Sequence, residues 1–402
     1  MLCLWISLEY GIICRRNNGA LLAGSIFRFS GTPFLLQSHK KRGKALKLSL
    51  AMIVKNEEEK LKRCLNSVKN HVDELVIVDT GSTDATKEIA LTFGAKIFDF
   101  TWCGDFSKAR NFSIEKTTGD YVLSMDADQI LMKFKKEQAL QYMEGKRVLG
   151  LAEIVNSYTH NGQKVLDRSY AAAVFPREAR YVGPVHEQID TSYPRVKLPI
   201  TIFHDGYDHR DESKAKRNID ILEKALQEQC NPYLVYKLAQ EYRGIEQLDK
   251  ADQLFSAAYH TAEKDRSYYP NLVVEYINNL VQIKAYENAL EIVRQEEKRF
   301  FDYPEFHFVC GALFMELVLS DPQKYIQYFP RIKQSYEKSI SIGENPKYQG
   351  TVGMGTFLPM HNLGAFYEVT GDMQKAKACY KTAMDMGYEP SKNRWMQIAG
   401  KK

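Results

Sequence analysis

The segment Met125-Asp126-Ala127-Asp128 closes the apolar run YVLSM with two carboxylates two residues apart. Carboxylates so placed at the end of a buried strand repel each other unless a cation or hydrogen-bond donors offset their charge. A hard divalent cation, Mg²⁺ or Mn²⁺, meets that need. It takes one or two carboxylates and fills its remaining positions with water and substrate phosphate. A helix-capping Asp beside a solvated one is the plainer account of the same pair. Asp79 directly follows LVIV, where a carboxylate can accept hydrogen bonds from a base or ribose, or serve ordinary turn chemistry before Thr-Gly-Ser. Arg110 can give a charge-assisted hydrogen bond to a phosphate or pair with a neighbouring acid. Asp167 stands beside Arg168, its obvious ion-pair partner, and His186 stands beside Glu187.

These residues fall in an alternation of strand and helix patterns. LKLSLAMIV is a buried strand, followed by KNEEEKLKRCLNSV, whose Leu61, Leu65 and Val68 recur at helical spacing with Glu57, Glu58 and Glu59 in the first turn. ELVIVDTGS is a second strand, and STDATKEIALTFG is a helix capped by Ser82 or Thr83 and closed near Gly94. AKIFDF, the helix FSKARNFSIEKTT and the strand ahead of the acidic pair complete a β-α-β-α series. Such a series predicts an α/β domain with a largely parallel sheet, whose ligands sit where strands end and helices begin. Residues 149–205 read as short strands with a turn at His160-Asn161-Gly162.

Taken in order, MIVKNEEEKLKRCLNSV, VDTGSTDAT, DFSKARN and MDADQ resemble the motifs of family 2 glycosyltransferases with the GT-A nucleotide-sugar fold. The resemblance covers residues 46–210 and implies roles for particular residues. Val54 and Asp79 contact the nucleoside, Arg110 lies beside the nucleotide, and Asp126 and Asp128 form the metal–diphosphate motif. His204, in a His-x-Gly-Tyr ending, matches a third metal ligand. Thr80 stands where many relatives carry a second acid. An inverting transfer needs a carboxylate opposite the leaving group to take the acceptor's proton. The segment GPVHE resembles one in family 2 enzymes that presents an acid to the sugar, so Glu187 is the expected base, with Asp167 the alternative. A surface ion pair is the bland account of either.

Beyond residue 210 the strand pattern gives way to long amphipathic helices. Leu238, Ala239, Tyr242, Ala251, Phe255 and Ala258 recur at the same offsets as Leu363, Gly364, Tyr367, Ala376, Tyr380 and Ala383. Small residues where paired helices cross, with aromatics between them, resemble tetratricopeptide repeats. Tyr276, Ile277, Leu280 and Ala289 fit a degenerate copy, which makes three or four helix pairs. A repeat stack offers a groove for a peptide or protein, and equally a buttress or a homo-oligomer surface.

At 402 residues with 44% apolar side chains the chain has material for two domains and a real core. The domains expected are a leader over 1–45, a GT-A domain over 46–210 and an all-α repeat domain over 211–402. The net charge of +5 originates in the leader, where seven basic residues face Glu9 within residues 1–46, so the body gives no nucleic-acid footprint. Seven cysteines without a CxxC pair read as a reducing compartment without structural zinc. No apolar run is long enough for a membrane span. The expectation is a cytoplasmic enzyme moving a hexose from a nucleotide sugar, a UDP-sugar, with inversion, to a peptide or protein or to a cell-surface glycan. Family 2 domains fused to such repeats look similar to peptide glycosyltransferases. The competing expectation is a non-catalytic repeat scaffold carrying a vestigial nucleotide-sugar domain.

Overall fold

The computed structural model describes residues 46–160, 163–189, 193–205, 212–345 and 347–399. The expected leader, the tip of the Asn161-Gly162 turn and the expected boundary at 210–211 lie outside them. The first half is built on one sheet: β1 (Leu48–Val54), β2 (Glu74–Asp79), β3 (Lys96–Asp99), β4 (Tyr121–Ser124), β5 (Gln129–Phe134), β6 (Leu149–His160), β7 (Gln163–Pro176) and β10 (Arg195–His204). A separate ribbon pairs β8 (Tyr181–Val182) with β9 (Gln188–Ile189). Between the strands run α1 (Leu61–Val68), α2 (Thr86–Thr92), α3 (Phe106–Glu115) and α4 (Lys136–Met143).

The strand order is β3-β2-β1-β4-β7-β6-β10-β5. The sheet is parallel from β3 to β4 and again between β6 and β10. Beyond that, β4–β7, β7–β6 and β10–β5 are antiparallel, so the expected largely parallel sheet is in fact mixed. Residues 149–176 form two long strands joined as a hairpin rather than the short strands expected. A hairpin adds antiparallel strands without a helical crossover, and so leaves no helix pattern in the sequence. β1 is apolar except for Ser49 because it is central, flanked by β2 and β4 and covered by Leu61, Cys64, Leu65 and Val68 of α1. The chain winds outward from β1 through β2 to β3, then returns to β4 on the other side. In sheets wound this way, ligands bind at such a reversal, here at the carboxyl ends of β1 and β4.

The second half is helical: α5 (Glu212–Glu228), α6 (Pro232–Gly244), α7 (Leu248–Thr261), α8 (Tyr269–Gln282), α9 (Tyr286–Glu296), α10 (Pro304–Ser320), α11 (Pro322–Tyr325), α12 (Phe329–Ile342), α13 (Phe357–Val369), α14 (Met373–Asp385) and α15 (Glu389–Ala399). α6–α7, α8–α9 and α13–α14 pack as pairs, as the repeat offsets predict, and α10–α12, over residues whose sequence carries no clear repeat register, packs as a further pair. The small residues sit at the crossings for a steric reason. A Cβ on Gly364 would lie 2.9 Å from the Tyr380 ring, and one on Gly311 would lie 2.7 Å from the Tyr336 ring. None of the helices among the described residues is long and apolar enough to cross a membrane.

The halves are joined by backbone. β11 (Gly350–Thr351), from the helical half, pairs antiparallel with Asp167 and Arg168 of β7. It occupies the stretch of that edge left free by β4, which pairs with Val174–Pro176. Val185, from the loop between β8 and β9, is buried in the helical core.

Candidate active site

The turns after β1 and β2 build the first part of the site. Val54 and Asp79 are register partners at the ends of their strands. Asp79 is 1% exposed, and its Oδ1 accepts the N–H groups of Gly81 and Ser82 at 2.9 Å each. That turn needs Gly81 at φ +109°, a conformation few other residues tolerate. Asp79 Oδ2 is buried without a hydrogen-bond partner, and Lys87 Nζ lies 3.8 Å from Oδ1. Thr80 donates both its N–H, at 2.9 Å, and its hydroxyl, at 3.1 Å, to the Val54 carbonyl. Its side chain is therefore a strand tie.

Ser82 and Thr83 do not cap α2. Ser82 Oγ accepts the Asn56 N–H, and the Thr83 N–H donates to Asn56 Oδ1. These bonds lock the two turns together, while Asp84 accepts from Thr86 ahead of the helix. Glu57, Glu58 and Glu59 likewise precede α1 rather than forming its first turn. Burial, with Asp128 as the next cause, pushes the Glu57 carboxyl above its usual range.

β4 ends in a tight turn closed by Gln129, whose N–H donates to the Asp126 carbonyl and whose side chain accepts the Asp126 N–H. The two acids diverge. Asp126 accepts from Arg110 Nη2 at 2.8 Å, while Asp128 Oδ2 lies 3.2 Å from His204 Nε2. Asp128 Oδ1 is buried and unpartnered. Burial would raise the Asp128 pKa, but the hydrogen bond and charge of His204 prevail and hold it below the ordinary value. His204 is anchored at the end of β10 by the next residue, since Nη1 and Nη2 of Arg63 on α1 donate to the two Asp205 oxygens at 2.7 Å each.

Arg110 joins the acidic turn to the loop between β8 and β9. Its Nε donates to Glu187, and Tyr181 lies with its ring 5.5 Å from the guanidinium. Burial opposes the charge, yet Asp126 and Glu187 outweigh it and lift the Arg110 pKa well above its usual value. Asn111, the next residue of α3, clamps the Tyr181 backbone from both sides, at 2.8 and 2.9 Å. His186 adopts φ +51°, a costly conformation for a non-glycine residue. Its Nε2 lies 3.3 Å from Glu241 of α6, while Glu187 faces Arg110.

Asp167 lies opposite Asn156 in the β6–β7 register and accepts from Asn156 Nδ2 at 3.3 Å. Burial pushes its carboxyl up to about 6. Arg168 is not its partner and instead lies 3.6 Å from Glu153, because successive strand residues point to opposite faces. Glu305 of α10 faces Asp167 across the junction. Burial, then Asp167 and Glu275, push the Glu305 carboxyl up to about 8.

The structure thus brings Arg110, Asp126 and Glu187 together, and joins Asp128 to His204. Among the described residues no three His, Cys, Asp or Glu side chains converge on one point that could hold a metal. Asp128 and His204 nevertheless suit a divalent ion. They offer an unpartnered buried carboxylate oxygen and an imidazole nitrogen, a set that substrate phosphate and water would complete. Asn156 and Tyr181 escaped sequence reasoning. For Asn156 the available signal was a lone amide within the apolar pattern of β6.

Residues 49–196 match the family described as glycosyl transferase family 2. A TPR repeat-containing protein of Synechococcus elongatus is 39% identical over a segment covering 36% of each chain. The SPbeta prophage-derived glycosyltransferase SunS of Bacillus subtilis is 26% identical over 64% of this chain and 65% of its own length. The chain therefore spans less than two thirds of either relative. Among solved structures, S. aureus TarS 1-349 in complex with UDP-GlcNAc aligns with a TM-score of 0.32 at 14% identity, over 60% of this chain and 83% of that one. Glucosyl-3-phosphoglycerate synthase from Mycobacterium tuberculosis, in complex with Mn²⁺ and UDP-glucose, aligns with a TM-score of 0.31 at 17% identity, over 46% and 79%.

Proposed function

We propose that this chain, which carries a family 2 glycosyltransferase domain, is an inverting, divalent-cation-dependent hexosyltransferase using a nucleotide sugar, specifically a UDP-sugar. One observation carries the reading. Asp79 and Asp128 each keep a buried, unpartnered carboxylate oxygen at the carboxyl ends of the same sheet. Buried acceptors without donors are costly, so a fold that keeps two of them at those ends suits a ligand that supplies the missing partners.

In this reading Asp79 accepts from the base or ribose, and Val54 flanks the nucleoside. Asp128 and His204, with Asp126, would hold Mg²⁺ or Mn²⁺. When bound, such an ion neutralises the charge that develops on the departing diphosphate. Arg110 adds a fixed positive charge beside the diphosphate. Glu187, oriented through its bond to Arg110, takes the acceptor's proton. Asp167 is the less suitable base because it is turned toward Asn156 and the helical half.

A peptide, protein or glycan acceptor enters from the side of the repeats. A cavity of about 810 Å³ beside the Glu187 loop supports this, since His186, Gln188, Lys108 and Tyr233 line it from both halves. The test is release of nucleoside diphosphate from a panel of nucleotide sugars, with and without Mn²⁺. Mn²⁺-dependent release from a UDP-sugar, abolished in Asp128→Asn, is the expected result. No release from any donor by protein that binds none of them would leave a repeat scaffold.

A further inference from the structure

The acidic turn is connected to the domain junction by a chain of four side chains. Asp128 Oδ2 lies 3.2 Å from His204 Nε2, and His204 Nδ1 lies 3.1 Å from Asn156 Oδ1. Asn156 Nδ2 in turn donates to Asp167 Oδ2 at 3.3 Å and to Ser169 Oγ at 3.4 Å. The direction of this chain follows from the chemistry of its far end. An ionised carboxylate only accepts hydrogen bonds, so the Asn156 NH₂ must face Asp167, and the amide oxygen must face His204. An amide oxygen also only accepts, so His204 Nδ1 must carry a hydrogen. The remaining ring nitrogen, Nε2, is thereby aimed at Asp128.

We propose that Asn156 and Asp167 are positioning residues that keep a hydrogen on His204 Nδ1, so that Nε2, which donates to Asp128 while no ion is present, is the nitrogen that would be offered beside Asp128 to a divalent cation. This rests on the cation-dependent reading above and deepens it. Metal-ligating histidines characteristically donate their other ring N–H to an acceptor, and loss of that acceptor typically weakens metal binding about 10–100-fold. Here the acceptor is an amide whose orientation is set by a second residue. The strands provide the spacing: Asn156 is the register partner of both His204 on β10 and Asp167 on β7, so the chain runs straight across three adjacent strands. Asp167 is therefore assigned to orientation and is not the proton acceptor of the transfer.

Two measurements on the full chain test this. The first uses metal-free protein labelled with ¹⁵N-histidine, with His204 identified among the nine histidines by its loss in His204→Gln. The wild type is expected to show Nδ1 protonated. Asn156→Leu should lose that preference, and the swapped pair Asn156→Asp/Asp167→Asn should regain it, since an oxygen again faces His204 and an NH₂ is again available to the acceptor. The second is Mn²⁺ affinity by electron paramagnetic resonance in the presence of UDP. It should fall about 10–100-fold in Asn156→Leu and recover in the swapped pair. The swap keeps size and polarity, so it remains informative if the leucine variant folds poorly. A wild-type His204 with bare Nδ1, or Asn156→Leu with wild-type tautomer and Mn²⁺ affinity, would overturn the proposal. Mn²⁺ affinity unchanged in Asp128→Asn would instead overturn the cation reading beneath it.

Discussion

Asp79→Asn isolates the part of the site proposed to meet the nucleoside. Oδ1 of Asp79 already receives two backbone N–H groups, whereas Oδ2 receives none. An asparagine must keep its oxygen on those N–H donors, because an amide NH₂ cannot accept there, and so its NH₂ takes the place of Oδ2. A base or ribose donor that had met a carboxylate oxygen would then meet another donor. Hydrogen bonds to charged groups contribute about 1.5–3 kcal/mol, which corresponds to about a tenfold to 150-fold loss of UDP affinity. The fold should change little. Both turn hydrogen bonds persist, and the contact to Lys87, which is 39% exposed, contributes less than about 1 kcal/mol. Calorimetric titration with UDP at fixed Mn²⁺, alongside urea unfolding of the same samples, measures both quantities. Wild-type UDP affinity in a variant of wild-type stability would refute the assignment of the unpartnered oxygen to the nucleoside.

Other perturbations separate architecture from chemistry. Arg110→Met strands Glu187, 12% exposed, and Asp126, 41% exposed. Breaking a buried pair of this kind should cost about 3 kcal/mol, read as a lowered denaturant midpoint, with loss of turnover. Glu305 has a folded pKa of about 8 against an ordinary 4.5. The fold therefore favours its neutral form, and stability declines as pH rises from about 4.5 to about 8. Glu305→Gln should flatten that decline and raise Tm at pH 8, and a wild-type pH profile in the variant would contradict the burial of this carboxyl. Gly311→Ala gains about 1 kcal/mol of helix propensity but forces a methyl against the buried Tyr336 ring. Overpacking costs about 1–3 kcal/mol, so a net loss of stability is expected in urea unfolding.

What could be read from the sequence was what repeats locally. Leu61, Leu65 and Val68 at helical spacing, the apolar run of β1 broken only by Ser49 and the matched offsets at Ala239 and Gly364 each encode an element through its own pattern, and each element is where that pattern puts it. The antiparallel hairpin of β6 and β7 was not visible, because strand direction is a property of pairing rather than of either strand. Nor were the partners at the site. Arg110 meets Glu187 across 77 positions and His204 meets Asn156 across 48, and only the closed sheet makes them neighbours. The pairing expected between Asp167 and Arg168 failed for the same reason, since adjacency along a strand places side chains on opposite faces.

In the proposed function a divalent ion and a nucleoside diphosphate share the space between Asp79 and Asp128. Crystals grown with UDP and Mn²⁺, with diffraction recorded at the manganese absorption edge, address it directly. An anomalous peak in contact with Asp128 and His204 Nε2, with the nucleoside donating to Asp79, is the expected result. Nucleotide bound with no manganese at Asp128, or manganese held away from this space, would contradict the proposed function.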